Sequence, residues 1–117
     1  MRRKLWLVVA AAAFMLVTVG ASGSLASPQA RQQMVIRNFS YFPNTATVAP
    51  GTTIVVTNLD ALRMRVPHTL TANSGAFDTG VIKGDAVSFV APTTPGIYNY
   101  HCEIHQFMMG SITVSGG

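Results

Sequence analysis

Residues 98–110 read Y-N-Y-H-C-E-I-H-Q-F-M-M-G. This stretch holds the only cysteine, Cys102, two of the three histidines, His101 and His105, and two of the six methionines, Met108 and Met109. A thiolate, an imidazole and a thioether within seven residues form a soft donor set. Thiolate and thioether select copper(I), and imidazole suits copper as well. On an extended strand His101, adjacent to Cys102, points to the opposite face, so it is expected to be a structural hydrogen-bonding residue. A second imidazole must come from elsewhere, and only His68 remains. A free cysteine is also a common core filler, but His105 and Met108 in register with Cys102 favour a ligand. A nucleophilic cysteine would need an orienting group and an oxyanion site, and the chain offers no motif for either.

Cys102, His105, Met108 and Gly110 spell C-x-x-H-x-x-M-x-G, and residues 96–101 lead in as G-I-Y-N-Y-H. Pro67-His68-Thr69 lies thirty-four residues upstream. Together these resemble the cupredoxins, above all the amicyanin-like, plastocyanin-type subgroup with a short ligand loop. The resemblance runs from about residue 34 to 114. It implies one type 1 copper ion, cycling between Cu(I) and Cu(II), held by His68, Cys102, His105 and Met108. A trigonal His-His-Cys set with a weak axial Met is the blue-copper electron-transfer geometry. Family spacing selects Met108 for the axial place, while Met109 matches a one-residue-longer arrangement in other members. Asn58 resembles the family's V-x-N-x-D position, where it either hydrogen-bonds between the ligand-bearing loops or is an ordinary turn residue. After Asp60 this chain departs from the pattern. Six residues precede Pro67, more than is usual, and they include Arg63 and Arg65.

The chain begins with Arg2, Arg3 and Lys4, an uncharged apolar run over 5–19, and small residues over 20–27. This is the pattern of a secretory signal peptide. Fifteen apolar residues fall short of the roughly 20 that span a bilayer. The expected division is a signal over 1–26, with an uncleaved anchor as the alternative, and a single domain over 27–117. Eight basic residues against four acidic give a formal charge of +4. Three of the basic residues lie in the signal, leaving five against four, so nucleic-acid binding, which needs a clustered basic face, is not expected. A lone cysteine cannot form an internal disulfide and, in an exported protein, points to a reactive thiol, an intermolecular bridge or a metal ligand.

Short β-rich runs at 33–41, 45–49, 52–58, 86–90, 97–102 and 110–115 are separated by turn residues, which predicts a sandwich or barrel. Residues 66–71, carrying His68, are expected to be extended. No helical period is evident after residue 26. The resemblance supplies the topology: an all-β, Greek-key β-sandwich of seven or eight strands with copper at one end. It also implies a carrier and not an enzyme, exported to the periplasm or the extracellular space and monomeric. Its partners would be redox proteins, a donor dehydrogenase or an acceptor such as a c-type cytochrome. Membrane association is expected only if the signal is retained.

Overall fold

The computed structural model describes residues 30–84 and 86–116. The expected signal peptide lies outside the described residues. Eight strands form two four-stranded sheets. The strands are β1 Arg31–Arg37, β2 Ser40–Phe42, β3 Thr45–Val48, β4 Thr53–Asn58, β5 Thr71–Ala72, β6 Val87–Val90, β7 Gly96–His101 and β8 Met109–Val114. One sheet has the order β2-β1-β4-β6 and the other β3-β8-β7-β5. β1 pairs with β4 and β3 with β8 in parallel, so the chain crosses repeatedly between sheets. The expected β-sandwich of seven or eight strands is present, with eight strands among the described residues.

Alternation with period two builds the core. In β4, Ile54, Val56 and Asn58 face inward, and in β1 Met34 and Ile36 do so. Ile112 and Val114 of β8 close the opposite side. Tyr41 and Tyr100 meet edge to face at 4.9 Å between the sheets, a geometry aromatic rings prefer. In β7 Tyr98 and Tyr100 point inward and the fully buried Cys102 continues that register. The cysteine is therefore delivered to the end of the core by strand alternation alone.

Two local features differ from expectation. The single strand expected over 33–41 is broken at Asn38 and Phe39, whose φ values are 51° and 58°. Arg37 pairs with Ser40, so these two residues are the loop of a tight hairpin between β1 and β2. Two-residue hairpin loops favour positive φ at both positions. Asparagine tolerates this and phenylalanine does not, which is why sequence pattern alone reads through it. Second, a helix, α1, spans Leu59–Met64. Asn58 caps it through its side chain and Arg65 ends it with a left-handed φ of 59°. Six residues are fewer than two turns, too few to show a period. His68, in the stretch expected to be extended, is joined to Ile82 by a single antiparallel bridge.

Parallel pairing of β1 with β4 extends to Ile36 opposite Asn58. This register sets the Asn38–Phe39 turn beside the start of α1. The close of both strands thus lies at the same end of the sandwich as His68.

Ile54 is fully buried in the central strand of its sheet. Ile54→Ala should destabilise the metal-free domain by about 2–5 kcal/mol, a large share of a small domain's stability. Urea unfolding should show a lower midpoint with little change in slope.

Candidate metal centre

His68, Cys102 and His105 converge, with all their donor atoms within 4.8 Å of one another. Nδ1 of His68 lies 3.1 Å from Nδ1 of His105. Cys102 Sγ lies 3.9 Å from His68 Nδ1 and 3.8 Å from His105 Nδ1. Such separations suit two nitrogens and a sulfur around one ion, at bonds of about 2.0–2.3 Å. His68 and Cys102 are fully buried, and His105 is partly exposed. The donors match a soft first-row metal.

The loop from Cys102 to Met108 closes on itself. The Cys102 N–H donates to the Met108 carbonyl at 3.1 Å, and the Met108 N–H to the His105 carbonyl at 2.9 Å. Met108 is buried, whereas Met109 is 65% exposed. Met109 opens β8 opposite His101, and both side chains lie off the interior face. His101 takes no part in the cluster. Its ring bonds Asn73 at 2.5 Å and Glu103, as expected of a residue on the outer face.

Thr69 joins the two ligand-bearing segments. Its N–H donates to Cys102 Sγ at 3.3 Å, and its hydroxyl accepts from the Glu103 N–H at 2.8 Å. The buried sulfur thus has a backbone donor of its own. The Thr69 carbonyl accepts from the Tyr41 hydroxyl at 2.5 Å. Burial raises the Tyr41 hydroxyl far above the ordinary tyrosine value, and a negative Cys102 adds to this. Tyr41 therefore stays a neutral donor beside the sulfur.

Asn58 does a different job from the bridging role the resemblance suggested. Its Oδ1 accepts from the Ala61 N–H at 3.1 Å, and its Nδ2 donates to the carbonyls of Val66 and Ile82 at 3.1 and 2.9 Å. It holds the residues flanking His68 against β4 and α1. The link to the Cys102 segment runs through Thr69.

Asp60 is the residue whose part sequence reasoning missed. It is 1% exposed, and its Oδ2 lies 2.8 Å from His68 Nε2. The N–H groups of Asn38 and Phe39 donate to its two oxygens at 2.8 and 2.9 Å. Burial alone would raise its carboxyl. The Phe39 N–H, His68 and the Asn38 N–H outweigh this and hold it below the ordinary carboxylate value. The available signal was the Asn58-Leu59-Asp60 start of a helix, an N-cap followed by a first-turn acid. The Phe39 ring stands edge-on to His68 and His105, at 5.3 and 5.1 Å. Phe107, 68% exposed, lies 6.2 Å from the His105 ring.

A family profile described as a cupredoxin-like domain matches residues 7–114. The chain belongs to the cupredoxin-like family. Among solved structures it is similar to a reduced amicyanin variant, at 24% identity over 79% of this chain and 88% of that one, with a TM-score of 0.63. It is likewise similar to a purple cupredoxin from Nitrosopumilus maritimus, at 26% identity over 72% of this chain and 99% of that one, with a TM-score of 0.59. No curated protein matches the chain.

Gly110, next to Met109 in β8, has a reason to be glycine. A Cβ there would stand 2.3 Å from both the Asn44 carbonyl oxygen and the Tyr100 hydroxyl. That hydroxyl donates to the same carbonyl at 3.1 Å. Gly110→Ala should cost about 1–3 kcal/mol by overpacking. Gly84→Ala, where a Cβ meets nothing within 4 Å, is the control. Thermal melts of the two variants should separate them.

Proposed function

We propose that this chain is a small exported type 1 blue-copper protein that carries single electrons between redox partners and is not an enzyme. The supporting observation is the convergence of His68 Nδ1, His105 Nδ1 and Cys102 Sγ at 3.1–3.9 Å, with His68 and Cys102 fully buried. His68, Cys102 and His105 would be the strong ligands, and the buried Met108 would supply a weaker thioether donor. A copper ion bound there supplies a one-electron Cu(I)/Cu(II) couple.

The chain's own residues do the rest. The donors are set by strand register, by Thr69 and by Asn58, so little has to move when charge changes. The thiolate of Cys102 leads from the site into β7. The ring of His105 is the only strong ligand with exposure, and Phe107 beside it gives a partner an apolar footing. Electrons pass outer-sphere through the His105 edge. Redox encounters of this kind use small interfaces that release quickly. An amicyanin variant in its Cu(I) form, 24% identical over 79% of this chain, shares the fold.

Signal cleavage after residue 26 would leave a monomeric domain over 27–117 in the periplasm or outside the cell. The sole tryptophan, Trp6, would leave with the signal. The partners are proteins, a dehydrogenase as donor and a c-type cytochrome as acceptor. Arg65 and Lys83 line a cleft of about 490 Å³ with Pro67, next to His68. Arg63 is exposed in the last turn of α1. These cations would steer an acidic partner and raise the on-rate at low salt.

Copper titration of the 27–117 domain should give one equivalent bound and an intense visible band in the oxidised form. Cys102→Ser should abolish the band. Met108→Ala should alter the spectrum, and Met109→Ala should leave it unchanged. A colourless oxidised wild type would leave a copper-delivery module as the reading. With a negatively charged cytochrome, Arg63→Glu combined with Arg65→Glu should slow electron exchange at least tenfold at low salt. Stopped-flow rates that do not change would remove the steering role.

A further inference from the structure

Asp60 stands in a setting that a spacer residue in a long loop would not need. The Asn38–Phe39 turn has two successive left-handed residues, with φ of 51° and 58°. Consecutive N–H groups in such turns converge into an anion-binding concavity. Both N–H groups are spent on the Asp60 carboxylate, at 2.8 and 2.9 Å. Holding a phenylalanine at positive φ costs on the order of 1 kcal/mol, and the carboxylate is what the turn receives for it. The remaining short contact of Asp60 is His68 Nε2 at 2.8 Å. Among the described residues no lysine or arginine is paired with Asp60. Asp60 and His68 are 1% and 0% exposed.

We propose that Asp60 is the positioning residue for the metal ligand His68, and that its buried negative charge sets the oxidation-state preference of the centre. This rests on the copper reading above. An anionic acceptor at Nε2 keeps the proton on that nitrogen and leaves the Nδ1 lone pair facing Cys102 and His105. Partners of this kind orient a ligating imidazole. A buried negative charge this close to the ligand set favours the more positive ion, so Asp60 holds the reduction potential down. The same carboxylate fixes the Phe39 backbone, and with it the ring that stands against both histidines. One residue thereby sets the tautomer, the ring packing and the charge.

The test uses the copper-loaded wild type and Asp60→Asn, which keeps the shape and removes the charge. The variant should remain blue. Its equilibrium with a redox mediator should move at least tenfold toward the reduced form, which is 59 mV for one electron. Its copper(II) affinity should fall about 10–100-fold, with copper(I) affinity changing less. The asparagine NH₂ would face a backbone N–H and could impair folding. A second measurement therefore uses the intact wild type: long-range ¹H–¹⁵N correlation on the metal-free protein should show His68 with its proton on Nε2. A folded blue variant with an unchanged potential, or a wild-type His68 protonated on Nδ1 alone, overturns the proposal. A wild type that never turns blue fails the copper reading instead, so the two failures are distinguishable.

Discussion

Burying an imidazole beside a carboxylate is costly unless every donor and acceptor is met. The end of this sandwich is built around meeting them. Asp60 accepts from two backbone N–H groups and pairs with His68, and Asn58 uses both ends of its amide on α1, Val66 and Ile82. With those bonds made, the His68 ring has one nitrogen committed and the other turned toward Cys102. Removing any one partner would strand a buried polar group, so the network holds its geometry whether or not an ion is present. That is the property a centre needs if its ligands are to move little as charge comes and goes.

The two halves of the site are assembled by different means. Cys102, His105 and Met108 arrive together, on a loop closed by its own backbone hydrogen bonds between β7 and β8. His68 arrives by a longer route, through β4, α1 and the three residues 65–67. Thr69 is where the halves meet, donating to the sulfur and accepting from the Glu103 N–H. The short helix follows from this arrangement. A chain leaving β4 must turn and still present Asp60 inward, and a capped helical turn and a half satisfies its backbone while doing so.

Much of the site was legible because ligand chemistry is local. Cys102, His105 and Met108 are separated by three residues each, and that spacing survives any tertiary arrangement. Met108 is buried and Met109 exposed, a difference that spacing alone does not show. His101 was readable from strand alternation, and the structure places it on the outer face with Asn73 and Glu103. The role of Asp60 was not legible. It depends on N–H groups twenty-one and twenty-two residues away, presented by a turn that breaks the pattern of an otherwise continuous strand.

By itself, then, the sequence determined the strand-rich architecture, the inward face of β7 that carries Cys102, and the residue types gathered in the ligand loop. These follow from period-two alternation and short-range spacing, which need no knowledge of distant partners. Only the tertiary structure decided which carboxylate meets His68, which residue bridges the two ligand segments, and which face of the Asn38–Phe39 turn looks inward. Those choices depend on the parallel register of β1 against β4. Hydrogen bonds between groups far apart in the chain exist only once that register has brought them within three ångströms.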